Sequence, residues 1–173
     1  MKIVSEIDIS VKQHKKITEI RNSCFPDEQA SNSYGKQLPY MRFLEYRGTE
    51  IVAFMSVDYR VLRNENEIYR VLGVVNLCVE EEHRNQGIGT AMLKKIAEYA
   101  EEKDIDFIVL LSDHDKYYTD RGFKNVTSIN SWLRIHEHKN YGVAVEEVND
   151  LYVKSVKGKS WVSGHVDWLG YIY

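Results

Sequence analysis

Between residues 84 and 90 the chain reads Arg84-Asn85-Gln86-Gly87-Ile88-Gly89-Thr90, a turn whose residue types suit an anion. It follows an apolar run ending Leu77-Cys78-Val79. It opens a segment in which Ile88, Met92, Leu93, Ile96, Ala97 and Ala100 fall on one helical stripe. The first N–H groups of a helix have no internal partners, and its dipole is positive there. Glycine at 87 and 89 removes the side chains that would hold an anion off the backbone. Arg84 adds a guanidinium fork that matches phosphate oxygens. The segment therefore reads either as a pyrophosphate cradle or as a plain tight turn into a helix. Two other nucleotide sites are excluded by spacing. No G-x-x-x-x-G-K-[ST] occurs, and Met92 stands where a Rossmann turn needs its third glycine.

The elements that must hold this turn are legible in outline. Ser10 caps an expected helix through Val11, Ile17 and Ile20 to about Cys24, and Phe25-Pro26-Asp27 stops it. Residues 28–37 are polar and read as irregular. Leu38–Tyr46 and Ile51–Leu62 form a hairpin around Gly48-Thr49, and a third strand runs from Ile68 to Val79. After the helix, Ile105–Leu111 is nearly continuously apolar, as in a parallel strand covered on both faces. Strand, helix and strand make a βαβ unit with a right-handed crossover. Beyond Phe123 the expected strands are Trp132–Ile135, Val143–Val148 and Leu151–Val156. The expected fold class is mixed α/β: one domain over residues 1–173, with a mostly antiparallel central sheet and one parallel βαβ unit.

Composition narrows the function classes. Against 23 Lys and Arg stand 26 Asp and Glu, a net charge of −3 over 173 residues, which argues against a nucleic-acid binder. Two cysteines, Cys24 and Cys78, make no disulfide framework and no C-x-x-C metal motif, so both read as buried free thiols. His136 and His138 share a strand face without a third ligand, and no metal is expected. No apolar stretch approaches the ~18 residues that span a bilayer, and the N-terminus lacks an apolar leader core. The expectation is a soluble cytoplasmic protein.

Arg84-x-x-Gly87-x-Gly89 after such a strand resembles the acetyl-CoA signature of the GNAT superfamily of N-acetyltransferases. Tyr117-Tyr118-Thr119-Asp120-Arg121-Gly122-Phe123, after the next strand, is similar to that family's Phe-Tyr-x-x-x-Gly-Phe. The resemblance covers about Ile68–Phe123 closely and the preceding hairpin by topology. It implies that acetyl-CoA is the co-substrate and that the two parallel strands splay apart around pantetheine. It further implies that Leu77, Cys78 and Val79 offer backbone groups to pantetheine, and that Arg84, Asn85, Gln86, Gly87, Ile88, Gly89 and Thr90 hold the pyrophosphate. The family's asparagine before the aromatic pair is missing, so Ser112 or Asp113 would replace its contact with pantetheine. Tyr118 looks like the residue that hydrogen-bonds the thioester sulfur and assists the leaving thiolate. A phenol of pKa ~10 is only a modest acid for a thiol of pKa ~8.5, so assistance is the expected scale. Without the motif, Tyr118 would read as a packed aromatic.

An amine acceptor of pKa ~10.4 is almost wholly protonated at pH 7, a penalty of about 4.6 kcal/mol for the neutral nucleophile. A base, or a water chain ending on one, should remove that proton. The strand position at which some protein-acetylating members carry a catalytic glutamate is Gly73 here, which disfavours a histone-type enzyme. Glu80 is the candidate base, because it shares strand parity with Asn76 and Cys78; Glu80-Glu81-Glu82 also reads as a solvated acidic turn. His83 would touch coenzyme or solvent. In Asp113-His114-Asp115, Asp115 reads as a helix N-cap, and the role of His114 stays open. Cys78 raises a ping-pong alternative through an acetyl-cysteine. The apolar, aromatic end Val166–Tyr173 is expected to pack, and it faintly resembles the tail of aminoglycoside 2'-N-acetyltransferases, which reaches the acceptor.

These features point to direct transfer from acetyl-CoA to a primary amine of a small molecule. The acidic balance and 12 tyrosines suit a cationic acceptor. The rival readings are an enzyme that acetylates peptide lysines or N-termini, and a non-catalytic acyl-CoA-binding module. No nucleic-acid or membrane partner is expected, and the C-terminal strands offer pairing edges for a homodimer.

Overall fold

Ser10 starts the first helix by a capping box: its hydroxyl accepts from the Gln13 N–H, and the Gln13 side chain accepts from the Ser10 N–H. That helix, α1 (Val11–Cys24), buries Ile17 and Ile20 and ends where Phe25 leaves helical geometry. The computed structural model describes residues 1–173, and it arranges them as one eight-stranded sheet with helices on both faces. The strands are β1 (Lys2–Ser5), β2 (Met41–Arg47), β3 (Glu50–Asn64), β4 (Glu67–Val79), β5 (Phe107–Leu111), β6 (Lys124–His136), β7 (Lys139–Ser155) and β8 (Val166–Tyr171). They lie in the order β1-β2-β3-β4-β5-β7-β6-β8, and β8 also pairs with the end of β3. The helix α2 (Ile88–Glu101) joins β4 to β5, and the short α3 (Asp115–Thr119) follows β5.

The βαβ unit is the predicted one. Its strands are parallel over Val71↔Phe107 to Val74↔Leu110; at the sheet's edge β6 and β8 also run parallel, and the other pairings are antiparallel. Along α2 the stripe Ile88, Met92, Leu93, Ile96 and Ala100 is buried against Leu72, Val74, Ile108 and Leu110. On the opposite face α1 covers Leu44, Phe54 and Cys78, while β8 and the tail cover Tyr69, Val71 and Phe107. Each large side chain so buried contributes ~1.5–3 kcal/mol, which makes these three clusters the fold's support.

Two expectations are corrected, and one strand is added. The pieces expected at Trp132–Ile135, Val143–Val148 and Leu151–Val156 are parts of two long strands, β6 and β7, which form one hairpin. Polar residues such as Asn149 and Asp150, which read as a turn, lie within β7 because one side of an antiparallel hairpin can face water. The N-terminal β1, four residues long, carries too little pattern to be read as a strand and is fixed by pairing with β2. Asp115 is not the cap of α3. His114 holds that position without a side-chain cap bond, and the Asp115 carboxylate instead accepts from the Tyr152 hydroxyl at 3.1 Å.

Candidate active site

The parallel pairing of β4 and β5 stops at Val74↔Leu110, yet β4 runs on to Val79 beside β3. Val75 is an extra residue at this point, since Ser56 opposes Asn76 and Val57 opposes Val74. Such a bulge bends its strand and strengthens the twist, and here it parts the two strands. The backbone from Val75 to Val79 therefore has no strand partner on its β5 side. A cavity of about 1170 Å³ fills the gap. That exceeds the ~300–1,000 Å³ of ordinary small-ligand sites and suits an elongated ligand.

One wall is the start of α2. Asn85 (φ 60°) and Gly87 (φ 78°) turn the chain, and Gly87 is the helix N-cap. The first helical bond there runs from the Ala91 N–H to the Gly87 carbonyl at 2.9 Å. The Ile88, Gly89 and Thr90 N–H groups precede it and point out of the helix start. Gly87, Ile88, Gly89 and Thr90 all line the cavity. A Cβ at Gly89 would strike the Tyr117 hydroxyl, whereas one at Gly87 would project into open space. The donor set fits a pyrophosphate.

The opposite wall comes from β5 and α3. Tyr118 is 8% exposed, and its ring packs edge-on against Tyr117 and Phe123. Burial pushes its phenol up to about 12, the neighbouring Tyr117 adds to the rise, and the Ser112 side chain opposes it. Ser112 and Tyr118 line the cavity together with Asp113 and His114. Arg121 escaped the sequence reading although it stands within the Tyr117–Phe123 motif. Its guanidinium lies 3.8 Å from the centre of the Tyr117 ring and donates to the Thr90 hydroxyl at 3.1 and 2.7 Å. It thus ties α3 to the first turn of α2 and places a positive charge beside the cradle.

The remaining predicted residues divide. Leu77, Val79, Arg84 and Asn85 line the cavity. The Arg84 side chain, however, folds back, and its Nε donates to the Val79 carbonyl at 3.1 Å rather than reaching toward the cradle. Gln86 is outside the lining; its amide donates to the Glu82 carbonyl at 3.1 Å. Cys78 is also outside, because its side chain points to the α1 face, where Cys24 and then burial raise its thiol. Glu80 follows the same parity onto that face, and Lys16 of α1 holds its carboxylate at 2.6 Å. His83 lines the cavity, with its Nε2 4.0 Å from Glu80. Cys24, at the end of α1, lines it as well and was missed, since nothing in its local sequence marks it.

Gly73 is where the tail matters. A Cβ there would fall inside the Tyr173 phenol. The tail is thus packed, as predicted, and an aromatic ring occupies the space a side chain at position 73 would need. Beside it Asp58, opposite Gly73 on β3, accepts from the Tyr171 hydroxyl at 2.5 Å and from Arg60. The Arg60 guanidinium lies over the Tyr171 and Tyr173 rings at 4.2 and 4.8 Å. Gly73→Ala is expected to expel the Tyr173 ring. The cost is about 1–2 kcal/mol, in the lower part of the overpacking range because the ring can swing out. Thermal unfolding and amide exchange over residues 166–173 would register it; an unchanged melting temperature and unchanged protection would refute the packing.

A parted pair of parallel strands, a glycine-rich helix start and a buried tyrosine at the gap define a class of α/β acyltransferase domains. The family model described as "Acetyltransferase (GNAT) family" matches residues 14–123, and the chain belongs to the GNAT acetyltransferase family. Among curated proteins none matches it. Tetrahymena GCN5 superposes with a TM-score of 0.62 at 13% identity, over 92% of this chain and 97% of its own. An aminoglycoside 6'-N-acetyltransferase complexed with coenzyme A does so with a TM-score of 0.61 at 12% identity, over 93% and 100%. A GCN5-related N-acetyltransferase of Anabaena variabilis gives 0.60 at 17% identity, over 75% of this chain. The chain spans about a third of that protein, 32% of its length. At such identities the likeness is one of fold.

Proposed function

We propose that this protein transfers the acetyl group of acetyl-CoA to a primary amine of a small molecule, directly and within a ternary complex. The observation that carries the proposal is the parting of β4 and β5 beyond Val74↔Leu110, with the α2 start on one side and Tyr118 on the other. Acetyl-CoA laid in that gap would meet free backbone along Leu77–Val79, and its pyrophosphate would meet the N–H groups of Ile88, Gly89 and Thr90. Tyr118 would donate a hydrogen bond to the thioester sulfur as the thiolate forms. The turning of Cys78 toward α1 supports direct transfer, because it withdraws the thiol first considered for an acetyl-enzyme.

Two features support a small acceptor. The Gly73 position offers no carboxylate, and the packed tail with Tyr173 narrows the space beside it. The net charge of −3 favours a cationic acceptor. No helix is long and apolar enough to cross a membrane, and a cytoplasmic setting is part of the proposal. Were two copies to associate, the β6–β7 hairpin, which exposes Tyr141, Val143 and Val145, would be the contact. A panel of polyamines, amino acids, aminoglycosides and lysine peptides, read by release of free CoA, tests the acceptor class. Turnover of small amines above peptides is expected. Turnover confined to peptides, or no thiol release with any amine, would overturn it.

A further inference from the structure

Cys24 and Cys78 are far apart in sequence, but the end of α1 packs Cys24 against the buried cluster that holds Cys78 at the end of β4, close enough for each thiol to shift the other's ionisation. The two thiols differ in access. Cys24 is half-buried and lines the cavity; Cys78 is 1% exposed and packs beneath α1. The Cys24 sulfur also meets Arg84 Nη2 and the Val79 carbonyl, each at 3.5 Å. An accessible sulfur beside a guanidinium, packed on the cluster that buries a second thiol, suits an attacking and a resolving cysteine.

We propose that Cys24 and Cys78 form a redox modification site, oxidised to an internal disulfide by low-molecular-weight disulfides that enter through the cavity. The Cys24 thiolate attacks one sulfur of the small disulfide. A Cys24–sulfur bond forms, the small disulfide's own S–S bond breaks, and one thiolate leaves. Cys78 then attacks the Cys24 sulfur, gives its proton to solvent, and expels the second small thiolate. The two protein thiols lose two electrons, the small disulfide gains them, and the two protons end on the two released thiols.

The electrostatics order these steps. The Cys78 contact, together with Arg84, outweighs burial and holds the Cys24 thiol below the usual thiol range, which makes it the more readily ionised of the two. The Cys24 contact is the largest cause holding Cys78 up, with burial second. Once Cys24 is capped by the small thiol, that contact is lost and only burial still holds Cys78 up, which favours its attack at the resolving step.

The test uses the folded, reduced full chain with oxidised glutathione at neutral pH, read by intact mass and peptide mapping. The wild type is expected to lose the mass of two hydrogens and to yield a cross-linked peptide joining Cys24 to Cys78. Cys78→Ser, with Cys78→Ala beside it to avoid a hydroxyl in an apolar site, is expected to accumulate a glutathione adduct on Cys24. Cys24→Ser should leave Cys78 at least about tenfold slower to react than Cys24 in the wild type. Retention of both thiols by the wild type, absence of an adduct on folded Cys78 variants, or undiminished reaction of Cys78 in Cys24→Ser would each overturn the proposal.

Discussion

Gly87→Glu is expected to weaken acetyl-CoA binding at least about a hundredfold while leaving the fold in place. The residue caps α2 at a φ of 78°, and a side chain there costs roughly 1–2 kcal/mol of backbone strain. A Cβ at that point meets nothing within 4 Å, so no packed neighbour is displaced. What changes is the charge facing the ligand. The new carboxylate would stand before the unpartnered N–H groups of Ile88, Gly89 and Thr90, satisfying them itself and repelling phosphate oxygens. Gly87→Ala separates the two effects, since it carries the strain without the charge. Calorimetric titration should show a modest loss for alanine and no measurable binding for glutamate. An unaltered affinity in the glutamate variant would remove the anion site from the start of α2.

Tyr118→Phe is the second large effect, and its pKa sets the form it takes. A phenol raised to about 12 is fully protonated at neutral pH and always available as a donor. It is also a weak acid beside a thiol of pKa ~8.5, so complete proton transfer to the leaving thiolate is uphill. On the proposed function the residue would stabilise the developing thiolate by a hydrogen bond rather than hand over its proton. The expected loss in kcat is ~10–100-fold, at the low end of acid catalysis or below it, with coenzyme affinity nearly unchanged. No inflection from Tyr118 should appear in the pH–rate profile below pH ~10. For stability the sign follows from the raised value. The folded protein resists ionisation that the unfolded chain allows, so stability from this group is whole below pH 10 and falls as pH rises toward about 12. An unchanged kcat would reduce Tyr118 to a packed ring among Tyr117, Phe123 and Tyr152.

The parts of this site legible in the sequence are those made by local pattern. The helical stripe of α2, the apolar run of β5, the two glycines and the aromatic pair before Gly122 each announce themselves within a few residues. Residues misplaced by the sequence reading owe their positions to contacts between distant segments. Strand parity correctly grouped Cys78 with Glu80, yet it could not say that their shared face is covered by α1 and that Lys16 holds the carboxylate. The cavity lies in a split between strands, not on a face of the sheet, and the bulge at Val75 marks where that split begins. Arg84 looked like a free phosphate fork because the Val79 carbonyl that engages it is a backbone group. The meeting of Cys24 with Cys78, and of Tyr173 with Gly73, depends on how α1 and the tail pack, and no spacing rule reaches that far.

The central claim is that the acetyl group passes from coenzyme to amine without stopping on the protein. Acetyl-CoA labelled at the acetyl carbon, mixed with enzyme in a single turnover with and without an accepted amine, tests it most directly. Label is expected to appear in the amide in step with free CoA, neither is expected to form without the amine, and the protein's intact mass should never change. Label on the chain at Cys24 or Cys78 before the amide appears, or bound coenzyme that never yields its acetyl group, would contradict it.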